Sequence, residues 1–132
     1  PRTKLMGFIP WKRPSNAYGF AQALDNTWQW YLDDTDREYA NRDEFADAID
    51  FVGWYTHQSN RIAGISKWDP YNQYLAYHEG QGGWRGKTYE SKTWLMKKAN
   101  QVDKRARDWW VQLQHCEEDL DSRWWLLRRL LS

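Results

Sequence analysis

The sequence predicts an all-α protein of roughly five helices folded as one domain. Apolar residues recur at helical spacing in several segments. The alternation of apolar and polar residues that is typical of strands is absent, and the β-branched residues Val and Ile are sparse. A length of 132 residues suits a single hydrophobic core. These observations favour one helical domain.

Charge and aromatic content narrow the classes of function. The chain has 19 Lys and Arg against 18 Asp and Glu, so the charge balance gives no reason to expect a nucleic acid partner. It also has 11 Trp and 8 Tyr, whose flat rings suit sugar faces, membrane interfaces and cores. Cys116 has no second cysteine to pair with, and the three histidines are scattered along the chain. We therefore expect no metal and no cofactor.

The first segment with a candidate binding residue follows a proline-rich start. Residues 1–16 contain three prolines and are predicted to form an extended arm. Gly19 then lies inside an apolar run, which indicates a close approach of the backbone. Gln22 offers both a donor and an acceptor that can bind an acetamido group. Taken alone, a surface glutamine is the preferred interpretation.

Two helices are predicted before the central motif. Asp25 is expected to be the N-cap of a helix that ends near Asp33. Asn41 or Asp43 is expected to cap a longer helix that stops at Gly64. Its apolar positions fit a helical period, namely Phe45, Ala48, Ile49, Val52, Tyr55 and Ile62.

The stretch that we take as central, residues 74–84, starts as a helix and ends as a glycine-rich turn. The helix is predicted to begin at Ser66, or at Asp69 with Pro70 in its first position. Three glycines in four residues let the backbone approach a ligand closely. Beside them are side chains that can stack on, hydrogen-bond to or protonate a ligand, namely Tyr77, His78, Glu79 and Trp84. The alternative is a helix that ends at Gly80 with aromatic residues that only close the core.

A further long helix is expected after a cap at Ser91. Its predicted core face consists of Trp94, Leu95, Ala99, Val102, Ala106, Trp109, Trp110, Leu113 and Cys116. Residues 120–132 form an amphipathic tail in which arginines flank an apolar stripe. The tail suits a peripheral membrane contact, and a last helix folded over the core is an equal alternative.

Four motifs in order resemble a known family. Residues 19–22 resemble the Gly-Leu-Met-Gln element of the soluble-lytic-transglycosylase (SLT) domain, which has a goose-lysozyme-like fold. Residues 76–80 lie where that family has Ala-Tyr-Asn-Ala-Gly, and their Tyr-His-Glu-Gly sequence resembles one bacterial branch. Residues 7–10 and 44–48 match the same branch. The resemblance covers about residues 1–120.

The resemblance implies a lysozyme-like (SLT) domain over residues 1–119, followed by the tail 120–132. It implies a lytic transglycosylase of the periplasm or cell envelope, although this chain shows no signal peptide. Such an enzyme cleaves the β-1,4 bond between N-acetylmuramic acid and N-acetylglucosamine in peptidoglycan. One glutamic acid protonates the leaving oxygen and then acts as base while the muramyl 6-hydroxyl attacks, which gives a 1,6-anhydro product.

The residue pattern and the resemblance together give a set of candidate substrate-binding residues. They are Tyr18, Gly19, Gln22, Tyr77, His78, Glu79, Gly80 and Trp84. The residues near Gly19 and the residues near Gly80 would line the two walls of a sugar groove.

The catalytic residue is unknown from this sequence. The family's acid lies in a Glu-Ser motif upstream of the Gly-Leu-Met-Gln element, whereas the Glu-Ser pair here, residues 90–91, follows the second motif. The resemblance thus implies a domain without its first helix, with its acid and a cysteine partner for Cys116 upstream. Glu79 is a substitute acid only if its surroundings raise its pKa; a structural or substrate-binding role is preferred. A non-catalytic peptidoglycan-binding or envelope scaffold module is the alternative function.

Overall fold

The chain is helical, as predicted. The structure is a computed structural model that describes residues 4–5, 9–10 and 16–130, with side chains described over residues 16–117. In the described part, four α-helices follow a short pair of strands. The elements are β1 (Lys4–Leu5), β2 (Ile9–Pro10), α1 (Asp25–Thr35), α2 (Phe45–Ala63), α3 (Pro70–Arg85), a 3-10 helix (Thr88–Ser91) and α4 (Thr93–Leu130).

The strands β1 and β2 lie within the predicted extended arm. They pair antiparallel, with Lys4 opposite Pro10 and Leu5 opposite Ile9. The expectation of no strand is therefore wrong for these residues, because extended segments that lie side by side can exchange backbone hydrogen bonds. Residues 1–3, 6–8 and 11–15 of the arm, which include the first half of the predicted motif at 7–10, lie outside the described residues.

The chain divides between Gln58 and Ser59, inside α2, into two compact units. The core of the first unit is aromatic. Tyr31 is fully buried, and its ring centroid lies 5.0 Å from that of Trp28 and 5.4 Å from that of Phe51. Tilted and edge-to-face contacts of this kind add to the burial of the rings. They hold α1 against the first part of α2.

A polar network borders this aromatic core. The Tyr31 hydroxyl donates to Asp50 Oδ2 at 2.6 Å and accepts from Arg37 Nη1 at 3.1 Å. Arg37 and Asp50 also form an ion pair. Burial, together with the neighbouring Asp50, raises the pKa of Tyr31 to about 12, while the hydrogen bond from Tyr31 lowers the pKa of Asp50. The network gives the hydroxyl of the buried Tyr31 hydrogen-bond partners at the edge of the aromatic core.

The predicted ends of α1 and α2 are partly wrong. Asp25 is the first residue of α1 rather than its N-cap, and its carboxylate accepts from Arg42 Nη1 at 2.7 Å. Asn41 accepts from the Asp43 N–H in the turn before α2, so both residues precede the helix start at Phe45. The predicted stop of α2 at Gly64 is confirmed.

The start of α3 follows one of the two predicted alternatives. Asp69 is the N-cap, Pro70 is the first helical residue, and the Asp69 carboxylate accepts from the Asn72 N–H at 3.0 Å. The predicted turn at Gly80 is present as a break inside α3, with φ 75° and ψ 161°. Only glycine adopts this conformation readily. The helix then resumes over residues 81–85.

The second unit has a small core between α3 and α4. Leu75, Leu95 and Ala99 are buried there. Half-buried aromatic side chains pack against them, namely Tyr71, Tyr74, Trp84 and Tyr89. The predicted cap of α4 at Ser91 is wrong: the Ser91 hydroxyl donates to the Thr88 carbonyl at 3.1 Å within the 3-10 helix, and α4 begins at Thr93.

The predicted core face of α4 is buried only near its start. Trp94 is 58% exposed and Trp109 is 67% exposed. Trp110, Leu113 and Cys116 are exposed as well, although the Trp110 ring contacts that of Trp68. The backbone of α4 continues without a break past residue 119, so the fifth helix that we expected is the end of α4. Among the described residues, no helix is long and apolar enough to span a membrane.

Candidate functional site

The predicted site residues fall into two groups that we describe separately. The first group lies in the Gly19 loop, which we define as residues 18–23, in the first compact unit. The second group lies around the break of α3 at Gly80, in the second unit. Within the described residues, no three side chains of His, Cys, Asp or Glu are grouped as a metal site.

Backbone hydrogen bonds fix the Gly19 loop. The Tyr18 N–H donates to the Ala23 carbonyl at 3.0 Å, and the Phe20 N–H donates to the Arg42 carbonyl at 3.1 Å. Gly19 has φ +77°, and a Cβ atom there would lie 2.2 Å from the Arg42 carbonyl oxygen. A side chain at this position would therefore be strained and would clash with backbone. The close backbone approach predicted for Gly19 is thus made to the chain itself.

Gln22 is held by the same loop. Its side-chain Nε2 donates to the Gly19 carbonyl at 2.8 Å, and its backbone has φ 52°. The side chain is exposed. An amide has two donor hydrogens and a carbonyl acceptor, and this bond orients the group while using one donor. The role of Gln22 as a reader of acetamido groups stays a prediction.

Tyr18 is held by one contact at its hydroxyl and another at a face of its ring. Its hydroxyl donates to the Asp43 carboxylate, and the Arg42 guanidinium lies over the ring at 5.5 Å from the centroid. Tyr18 is half-buried. Its predicted contact with substrate is untested by these features.

Trp84 closes the core of the second unit. Its indole Nε1 donates to Asn72 Oδ1 at 2.9 Å, and its ring packs against the buried residues between α3 and α4. These contacts match the alternative in which the aromatic residues after Gly80 close the core. The contact of Trp84 with a ligand stays a prediction, as does that of the half-buried Tyr77.

Glu79 lies at the centre of what we call the Glu79 cluster, which consists of His78, Glu79, Thr88 and Lys92. Lys92 Nζ donates to Glu79 Oε1 at 2.6 Å, and His78 Nδ1 lies 2.8 Å from the same oxygen. The Thr88 hydroxyl donates to Oε2. The Glu79 side chain is only 5% exposed, so these partners replace water.

The cluster decides the protonation state of Glu79. Hydrogen bonds from Lys92, and next from Thr88, lower its pKa to about 2. Glu79 is therefore ionised at neutral pH. The hypothesis that its surroundings raise its pKa is wrong, because burial acts against three donors, one of which is a cation. Of the two preferred roles, that of a structural carboxylate agrees with this geometry, and the substrate-binding role of Glu79 stays a prediction.

Sequence reasoning missed Thr88 and Lys92. They lie nine and 13 residues after Glu79, beyond the reach of helical spacing. One signal was present: a carboxylate beside apolar and glycine residues needs a cation or several donors when it is buried. The chain has several basic residues after the glycines, and one of them, Lys92, pairs with Glu79.

His78 joins the cluster to the start of α4. Its side chain is 39% exposed. Its ring centroid lies 5.3 Å from that of Trp94, and the two rings are nearly perpendicular at 77°. Trp94 was expected in the core, but it is 58% exposed, whereas the next residue of α4, Leu95, is buried. The structure therefore brings an exposed imidazole and an exposed indole together.

The comparisons with known proteins place the chain in a family. The family model described as Transglycosylase SLT domain matches residues 1–116, which include both groups of predicted site residues. Neither the curated proteins nor the solved structures gave a match. Because the family match covers most of the 132 residues, the chain belongs to the transglycosylase SLT domain family.

Proposed function

We propose that this protein is a lytic transglycosylase domain that cleaves peptidoglycan between N-acetylmuramic acid and N-acetylglucosamine and forms 1,6-anhydro products. The match of residues 1–116 to the transglycosylase SLT domain carries the proposal, because this family acts on peptidoglycan. The periplasm or cell envelope is the compartment that such a substrate requires.

The Gly19 loop and the residues around Gly80 are the proposed contacts with glycan strands. Gln22 is exposed and its amide is oriented by the Gly19 carbonyl. Gln22→Ala and Tyr77→Ala should each weaken binding of N-acetylglucosamine oligomers about fivefold, which corresponds to one lost contact. Calorimetry measures the affinities, and circular dichroism checks that both variants fold. Unchanged affinity in both variants would remove these contacts from the proposal.

The proton donor is proposed to lie upstream of residue 1. Glu79 is ionised and holds three hydrogen bonds, so it is a poor acid at neutral pH. A general acid also needs a site shielded from water. The other glutamates whose side chains are described are exposed, namely Glu38, Glu44, Glu90 and Glu117.

Digestion of purified sacculi tests the cleavage step. The chain alone and the chain extended by its native upstream sequence are incubated with sacculi, and soluble products are identified by mass spectrometry. We expect anhydromuropeptides only from the extended chain, and their loss when the glutamate of an upstream Glu-Ser motif is replaced by Gln. Products from the chain alone that disappear in Glu79→Gln would contradict the proposed location of the acid.

A non-catalytic peptidoglycan-binding or envelope scaffold module is the second candidate. The observation that favours it is the engagement of Glu79 with Lys92 and Thr88. In that case the extended chain would bind sacculi and release no anhydromuropeptides. The same digestion therefore separates the two candidates.

We further propose a peripheral membrane contact through residues 120–132. The continuation of α4 to Leu130 supports it, because an amphipathic helix can lie in the interface of a bilayer. Anionic vesicles should shift the tryptophan fluorescence to the blue, and salt should weaken the shift. A chain that ends at residue 119 is the control. A shift of equal size in that control would exclude the tail as the contact.

A further inference from the structure

We propose that His78 and Trp94 form a glycan-contact surface, and that Glu79 and Lys92 act as positioning residues that fix His78 as a hydrogen-bond acceptor. The inference rests on the proposed function, in which His78 and Glu79 are already predicted substrate-binding residues. The contact of Trp94 with glycan, the involvement of Lys92 and the positioning role of Glu79 are new. It starts from two distances: 2.8 Å between His78 Nδ1 and Glu79 Oε1, and 5.3 Å between the ring centroids of His78 and Trp94.

The ionised Glu79 determines which ring nitrogen of His78 carries the hydrogen. An ionised carboxylate offers only acceptors. Glu79 is held in that state by the ammonium group of Lys92 and the hydroxyl of Thr88. His78 Nδ1 must then carry the hydrogen of the short contact. In the neutral ring the other nitrogen, Nε2, has no hydrogen and is an acceptor.

The Glu79 cluster also holds the imidazole ring of His78 in place. Lys92 Nζ and His78 Nδ1 bind the same oxygen of Glu79, at 2.6 and 2.8 Å. The Glu79 side chain is only 5% exposed, whereas those of His78 and Lys92 are 39% and 38% exposed, so the carboxylate end of these bonds is the shielded one. Lys92 therefore fixes the carboxylate, and the carboxylate fixes the ring. His78 differs in this respect from a surface histidine that rotates freely.

The pair of His78 and Trp94 suits a sugar ligand. A pyranose offers hydroxyl donors at its edge and C–H groups on its face. His78 Nε2 can accept from a hydroxyl, while the exposed indole of Trp94 can pack against the C–H face. The two rings are nearly perpendicular, so they form a corner that contacts an edge and a face together. The N-acetylated glycan strands of peptidoglycan, the proposed substrate, have both kinds of group.

The tautomer is tested in the free protein by NMR of the imidazole nitrogens. Wild type should show His78 with its hydrogen on Nδ1. Glu79→Gln should change this signature, because an amide can donate to Nδ1 as well as accept from it. Lys92→Met keeps the carboxylate as an acceptor, so the hydrogen should stay on Nδ1, but the His78 signals should broaden because the carboxylate that holds the ring is no longer fixed. A merely structural ion pair between Lys92 and Glu79 would leave the His78 signals unchanged.

The glycan contact is tested by calorimetry with an N-acetylglucosamine tetramer. His78→Ala and Trp94→Ala should each weaken binding about five- to tenfold, and His78→Gln, which keeps an acceptor, should restore part of the loss. His57→Ala and Trp109→Ala are the controls, because both residues are exposed and lie outside the Glu79 cluster.

The outcomes separate this inference from the proposed function. If wild type does not bind the tetramer, the proposed function and the glycan contact both fail. If wild type binds while His78→Ala and Trp94→Ala bind equally well, the inference alone is overturned. A hydrogen on Nε2 in the free wild-type protein would overturn the positioning role of Glu79.

Discussion

Glu79 receives hydrogen bonds from three separate parts of the second unit. His78 belongs to α3, Thr88 opens the 3-10 helix, and Lys92 precedes α4. A buried carboxylate with a paired cation is costly to disrupt, because removal of one partner leaves the other without compensation. We infer that the Glu79 cluster stabilises the second unit.

The lowered pKa of Glu79 predicts that the stability of the protein depends on pH. The pKa of Glu79 is about 2 in the folded protein and near 4.5 ordinarily. A lowered pKa contributes stability above pH 4.5 that is lost as the pH falls towards 2. In Glu79→Gln, urea unfolding between these values should show a weaker loss of stability than in wild type. Glu90→Gln is the control and should behave like wild type, because the Glu90 side chain is exposed. Parallel curves for wild type and Glu79→Gln would be inconsistent with the assignment.

Gly19 gives a prediction in the first unit. Gly19→Ala should lower the free energy of unfolding by about 2 kcal/mol or more, because φ is positive and the Arg42 backbone occupies the space. Gly53→Ala is the matched control: nothing lies within 4 Å of its added Cβ, and it lies inside α2. That change should stabilise the helix by about 0.5–1 kcal/mol. Urea unfolding measures whether the free energy of unfolding falls in Gly19→Ala and rises in Gly53→Ala.

At the scale of elements, α4 shows what periodicity can and cannot predict. Its apolar spacing predicted a long helix, and a helix is present over Thr93–Leu130. The same spacing predicted one continuous core face, yet Leu95 and Ala99 are buried while Trp109 is exposed. Periodicity identifies a face of a helix; the length of that face that finds a partner depends on tertiary packing. The break at Gly80 is similar, because the glycines indicated a turn but not the helix that resumes after it.

Two substitutions in α4 test which part of the helix packs against the rest of the protein. Leu95→Ala should cost about 2–5 kcal/mol, because it leaves a cavity between α3 and α4. Trp109→Ala should change the free energy of unfolding by less than about 0.5 kcal/mol, because its ring is largely exposed. Chemical denaturation measures both. A large loss in Trp109→Ala would mean that this part of the helix is covered in solution.

At the scale of the whole molecule, the sequence predicted the helical class and the family. Four motifs in order indicated the SLT domain, and the family match over residues 1–116 confirms it. The environment of Glu79 could not be predicted, because it depends on Lys92, 13 residues away. The division between Gln58 and Ser59 lies inside a helix, where no composition shift or linker indicates it. The domain boundary at residue 119 stays a prediction.

We propose above that the Gly19 loop and the residues around Gly80 contact peptidoglycan glycan. An NMR titration of the ¹⁵N-labelled chain with an N-acetylglucosamine tetramer tests it most directly. Saturable shifts are expected at the backbone amides of Gly19, Gln22, Tyr77 and Gly80, and at the Gln22 side-chain amide. Saturable shifts confined to other residues, or no shifts at millimolar tetramer, would contradict it.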